Sequence, residues 1–151
     1  MKQLFLLLST VFLFTMSCSD PCDSVNCNKG TCSDGTCICD TGYEGDDCST
    51  EMRTKFIGTW TGLSVCGSVD RDNVTVTISA DSAIIDKVSL LVDGANLPAK
   101  VSKKTLTLEE IDLFGLKVSG SGKITSANQL ELTLNQDDEG VKSTCTFTGT
   151  K

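Results

Sequence analysis

Nine cysteines and twenty acidic residues are the side chains that could carry chemistry in this chain, and there is no histidine. Six of the cysteines fall within one short stretch, Cys22-x4-Cys27-x4-Cys32-x4-Cys37-x-Cys39-x8-Cys48. Thiols at this density either hold a metal or oxidise in pairs. A zinc site needs Cys-x2-Cys pairs or histidines in a reducing compartment, and neither is present. The stretch offers only Val25, Ile38 and Tyr43 to a core. So little burial cannot offset chain entropy, so the segment must be cross-linked, and six thiols make three bridges. Fifteen connectivities are open to six cysteines, and spacing alone does not choose among them.

The carboxylates are the other candidates. Without histidine, Ser-His-Asp and Cys-His nucleophile systems and most transition-metal sites drop out. Paired carboxylates could still serve glycoside hydrolysis, and Glu109, Glu110, Asp112 and the Asp137-Asp138-Glu139 run qualify by composition. They sit at expected strand ends and turns, where solvated carboxylates are ordinary. No catalytic residue, metal or cofactor is therefore expected. The formal charge is −7, with no Lys/Arg run able to neutralise several phosphates, so nucleic acid is not an expected partner.

The segments that must position these residues begin with a signal. Met1-Lys2 precedes the apolar run Leu4 to Met16. A bilayer span needs roughly 20 residues, so residues 1–17 read as a processed signal peptide. Ser17-Cys18-Ser19-Asp20 follows. A cysteine directly after the apolar run resembles the bacterial lipobox, which implies cleavage before Cys18, acylation of its thiol and a tether over 18–21. Thr15 and Met16 stand where the strict pattern has Leu and a small residue. This loose form, followed by Ser-Asp, resembles lipoproteins of Bacteroidetes-type bacteria. The resemblance implies an outer-membrane protein anchored by lipid and facing the cell exterior. More than one acyl chain makes such anchoring stable. With six cysteines in the cluster and Cys18 on lipid, Cys66 and Cys145 remain, and they can pair.

The ending Cys37-Ile38-Cys39-Asp40-Thr41-Gly42-Tyr43-Glu44-Gly45-Asp46-Asp47-Cys48 carries C-x-C, then Gly-aromatic, then Gly-x2-Cys. Residues 22–48 thereby resemble an EGF-like domain. The family pattern implies the pairs Cys22–Cys32, Cys27–Cys37 and Cys39–Cys48. Calcium-binding members carry an acidic pair before the first cysteine, where this chain has only Asp20-Pro21. Calcium is therefore not expected, and Asp46 and Asp47 read as a solvated turn.

Residues 49–54 read as a short polar link, and from Lys55 the texture changes. Val74, Val76, Ile78 and Ala80 alternate with Thr and Ser. So do Leu106/Leu108, Leu116/Val118, Leu130/Leu132/Leu134 and Val141/Cys145/Phe147 with their polar neighbours. Period two with β-branched residues means half-buried strands. Turn signals fall at Asp70 to Asn73, Asp81-Ser82, Asp93-Gly94, Lys103-Lys104, Phe114-Gly115, Ser126 to Asn128 and Asp137 to Gly140. They imply about eight strands across 55–151, too closely spaced for crossover helices, hence an antiparallel up-and-down arrangement. It must curl into a barrel or fold into a sandwich. A Cys66–Cys145 bridge joins the first and last strands, as barrel closure does.

Phe56-Ile57-Gly58-Thr59-Trp60 resembles the Phe-x-Gly-x-Trp opening of the lipocalin and fatty-acid-binding superfamily. The resemblance implies a glycine bend, a Trp plugging the closed end, and a cavity for a small hydrophobic ligand around Trp60. The domain 55–151 is much shorter than most lipocalins and has no Arg near the last strand to cover the Trp. Its layout resembles the lipocalin-like domains of Bacteroidetes lipoproteins. In a narrow barrel, side chains can fill the interior, which makes Trp60 core. Asp23-Ser24-Val25 and Asp81-Ser82-Ala83 resemble the Bacteroidetes O-glycosylation motif, with Ser24 and Ser82 as acceptors. Asn73-Val74-Thr75 is an N-glycosylation sequon, relevant only in a eukaryotic secretory host.

The expectation is a mainly β, non-catalytic surface lipoprotein: a stapled module followed by a β-domain that binds a protein or glycan partner. The alternative is a carrier of a small hydrophobic ligand.

Overall fold

The computed structural model describes residues 20–151; the expected signal peptide, 1–17, and the expected lipidation residue Cys18 lie outside the described residues. Four short strands come first: β1 (Gly30–Ser33), β2 (Thr36–Cys39), β3 (Tyr43–Glu44) and β4 (Thr50–Glu51), with β1 paired to β2 and β3 to β4. A 3-10 turn, Met52–Lys55, leads into eight longer strands. These are β5 (Gly58–Cys66), β6 (Val69–Ala80), β7 (Lys87–Val92), β8 (Ala95–Ser102), β9 (Thr105–Leu113), β10 (Leu116–Ser126), β11 (Gln129–Asp138) and β12 (Val141–Thr150). They form one closed antiparallel barrel in which each strand pairs with its sequence neighbours and β12 pairs with β5. A barrel forms in place of a sandwich because this last pairing leaves no open edge.

Alternation drives the barrel. Val74, Val76, Ile78, Leu106, Leu108, Leu130, Leu132 and Phe147 all enter one core cluster with Phe56, Trp60 and Leu90. At about 25 cal/mol per Å² of apolar surface buried, such a cluster is the main stabilising term for this part of the chain. Gly149 shows how tightly it packs: a Cβ there would run into the Phe147 ring.

Period two is broken at three bulges, one of them the extra residue Thr125 in β10, where Ile124 faces Leu130 and Ser126 faces Gln129. Val118 faces Ile111 but Gly120 faces Leu108, so β9 carries one extra residue at Glu109-Glu110. The inward set therefore shifts from Leu106/Leu108 to Ile111/Leu113, and both glutamates are exposed. The bulge in β6 corrects an expectation. Asp70 to Asn73 reads as a turn but lies inside β6, where Gly62 faces Val74 and Ser64 faces Arg71. Asn73 takes the left-handed conformation, φ 57°, which Asn tolerates. The reversal comes earlier, at Gly67-Ser68.

Residues 49–54 are more than a link. Glu51 pairs with Tyr43 in the β3–β4 ladder. Arg53 Nη1 donates to the carbonyls of Asp81 (2.6 Å) and Ile84 (3.2 Å). The backbone N–H of Lys103 donates to Met52 Sδ at 3.2 Å. Lys55 pairs with Glu44. The loop between β6 and β7 and the turn between β8 and β9 thus mark the barrel end nearest the disulfide-rich module. Gly42, buried at φ 89°, packs there; a Cβ on it would lie 2.7 Å from Ile85 Cγ2. The turns after β5, β7, β9 and β11 lie at the opposite, distal end.

Candidate functional site

The module is held by three bridges, Cys22–Cys32, Cys27–Cys37 and Cys39–Cys48. Cys48 is its only buried apolar side chain. Hydrogen bonds do the remaining local work. Asp47 Oδ1 accepts from Ser49 Oγ (2.8 Å) and Ser49 N–H (3.2 Å), and Asn28 Nδ2 donates to the Asp47 carbonyl and carboxylate. The Ser49 bonds hold the Asp47 carboxyl below its ordinary pKa. Asp47 therefore anchors this turn. Among the described residues no group of His, Cys, Asp and Glu is arranged to hold a metal ion.

The seam that closes the barrel is clasped at both ends. At the distal end Cys66 faces Cys145 directly, with Cα atoms 4.1 Å apart, and the two sulfurs are bonded. At the end nearest the module, Lys151 Nζ donates to the carbonyls of Lys55 (2.9 Å) and Ile57 (2.8 Å). The same ammonium stands 4.5 Å from the centroid of the Trp60 ring, a cation–π contact. Burial pulls the Lys151 pKa below its ordinary value. Trp60 itself is fully buried, and its indole N–H donates to the Phe56 carbonyl at 2.7 Å. No arginine is needed over the ring, because a lysine immediately after the last strand covers it. A Lys next to the final strand in the sequence was the signal.

Around Trp60 the barrel interior is occupied. Leu90, Leu106 and Leu130 are completely buried, and Ile78, Val88 and Leu132 nearly so. Trp60 is a core residue of a packed barrel.

Of the carboxylates with hydrolase potential, Glu110 and Asp137 line one surface pocket of about 240 Å³, each beside a lysine, Lys117 and Lys142. Glu110 pairs with Lys117 at 3.8 Å, and Glu109 is an exposed bulge residue. Asp112 Oδ1 accepts the Gly115 N–H and Asp137 Oδ1 the Gly140 N–H, 2.7 and 2.8 Å. Each caps its own hairpin turn.

The distal end instead gathers apolar side chains at the barrel mouth. Phe114 is fully exposed (107%), Val141 73% and Val69 60% exposed. Half-buried Leu113, Leu116 and Val92 lie just below them in their strands. Val141, expected on a buried face, extends past the core because β12 outruns β5: their pairing begins only at Cys145. Phe114 also holds φ 58°, a left-handed conformation that costs a non-glycine residue about 1 kcal/mol or more. The other exposed non-glycine residues in that conformation are Asp34, Asn73, Asp93, Lys103 and Glu139, all polar. Around the mouth the chain places Asp70, Asp93, Asp112, Asp137, Asp138 and Glu139. Asp93 pairs with Arg71 at 2.7 Å, which lowers its pKa. The mouth is thus apolar at its tips and acidic around them.

Ser24 and Ser82 are both exposed, one in the first turn of the module and one in the β6–β7 loop. Asp81 shapes that loop: its Oδ1 accepts the N–H groups of Ala83 and Ile84, both at 2.8 Å. Those bonds hold its pKa below the ordinary value. Ala80, expected on the core face of β6, is exposed because the strand runs past the core here too. No protein-family model matches the chain, and no curated protein shows significant similarity to it.

Proposed function

We propose that this chain is a non-catalytic, lipid-anchored outer-membrane protein that displays a binding surface to the cell exterior. In this reading residues 1–17 are the signal peptide, Cys18 carries the lipid, and the EGF-like module 22–48 is a rigid spacer. The lipocalin-like barrel, 55–151, is the binding domain, and its distal end meets a protein or glycan partner. Phe114 carries the proposal. Its ring is fully exposed, so no packing among the described residues offsets the cost of its left-handed backbone. A partner that buries the ring would account for both features. A carrier function for the barrel lumen has weaker support, because Trp60, Leu90, Leu106 and Leu130 fill the interior.

Protease treatment of intact cells carrying a C-terminally tagged chain tests the location. Loss of the tag, with a periplasmic control protein intact, is the expected result; protection of the tag contradicts surface display. Phe114→Asn tests the site. It should leave thermal stability unchanged or raise it by about 1 kcal/mol, since Asn accepts this conformation. Loss of stability in this variant would mean that the ring packs within the fold and is not free for a partner.

A further inference from the structure

A second surface lies at the other end of the barrel. Between the module and the barrel there is a groove of about 970 Å³, within the range of small-molecule sites. Its lining is mostly apolar, with Ile38, Tyr43 and Met52 supplied by the module and the 3-10 turn. Ile38 is 63% exposed, although β2 is held rigidly by bridges at Cys37 and Cys39. The barrel supplies the β8–β9 turn, Ser102 to Thr105. Lys103 and Lys104 stand on this wall, and neither has an ion-pair partner among the described residues. The remaining charges, Lys55 and Glu44, neutralise each other. An apolar floor edged by two unpaired lysines is thus built into a protein whose net charge is −7.

We infer that this groove binds a single-chain amphiphile with an anionic head group, its alkyl chain lying over Ile38, Tyr43 and Met52 and its carboxylate or phosphate meeting Lys103 and Lys104. Charge complementarity fixes the sign of the head. The mostly apolar lining suits an alkyl chain. The groove is rigid on both sides. The Lys103 N–H is tied to Met52 Sδ, and the module is tied to the barrel through Arg53 and Gly42. Little ordering cost therefore opposes binding. The site lies outside the barrel and is independent of the distal mouth.

The test is calorimetric titration of the full chain with dodecanoate below its micellar concentration, with amide and side-chain NMR shifts to locate it. One dodecanoate per chain is expected, with shifts confined to Ile38, Tyr43, Met52 and residues 102–105. The double substitution K103E/K104E should weaken binding by about tenfold or more, and Ile38→Asp should do so without touching the lysines. Both changes fall on exposed side chains, so the fold is retained. Dodecyltrimethylammonium, with the same chain and the opposite charge, should bind weakly or not at all. Equal affinity for the two amphiphiles would overturn the inference, as would shifts located at the barrel mouth. Binding to anionic phosphatidylglycerol vesicles without binding of monomeric dodecanoate would also overturn it, since the groove would then be a membrane contact.

Discussion

The module and the barrel reach order by opposite means. Between Cys22 and Cys48 there are three bridges and one buried apolar side chain, itself a cysteine. Between Phe56 and Lys151 there is one bridge and a continuous core of sixteen buried residues. Each module loop spans 9 or 10 residues, and closing such a loop in the unfolded chain is worth about 2.7 kcal/mol in the chain-entropy account. The barrel bridge spans 79 residues and is worth about 4.5 kcal/mol on the same account. It adds to the stabilisation that the buried core supplies. Cross-links let a small segment stand without a core and leave Ile38 free to face solvent. A packed barrel interior puts both proposed binding surfaces at the barrel's ends.

Breaking the core should affect the barrel most. Trp60→Ala removes the largest buried side chain, the indole donor to Phe56 and the platform under Lys151. A loss of about 3–5 kcal/mol is expected, read from the denaturant midpoint of the barrel. The same variant should leave the module bridges intact by mass analysis. Paired replacement of Cys66 and Cys145 by Ala should cost at most the chain-entropy figure, about 4.5 kcal/mol, with the barrel still folded in water. The smallest effect is expected at the other clasp of the seam. Lys151→Ala loses the ring contact and the ties to Lys55 and Ile57, about 0.5–1 kcal/mol. Added salt should barely change that difference, because the partners are carbonyls and a ring face and not a carboxylate. A salt-dependent loss would indicate an ion pair instead.

The strands were legible where burial follows a strict period of two, as at Val74/Val76/Ile78 and Leu130/Leu132. Cysteine density alone required cross-links. The barrel was legible up to its choice over a sandwich, which rests on the pairing of β12 with β5, two strands far apart in sequence. The bulges were not legible, since an extra residue at Glu109-Glu110 or near Asn73 looks like polar surface or a turn until the partner strand is known. Lys151 over Trp60 escaped for the same reason: the contact joins the two ends of the domain. Phe114-Gly115 was legible as a turn. That its ring would stand fully in solvent follows from the barrel closing below it, a property of the whole fold. The groove beside Lys103 and Lys104 depends on how two units dock, which neither segment encodes alone.

The most direct measurement of this contrast is residue-resolved hydrogen exchange of residues 20–151 before and after full reduction of the disulfides. The account predicts that amides of residues 22–48 lose their protection on reduction. Barrel amides at Trp60, Leu90, Leu106 and Leu130 should stay protected, shifted only by the loss of the Cys66–Cys145 bridge. Loss of protection in the barrel core together with the module would contradict it, and would mean that both regions depend on the same cross-links.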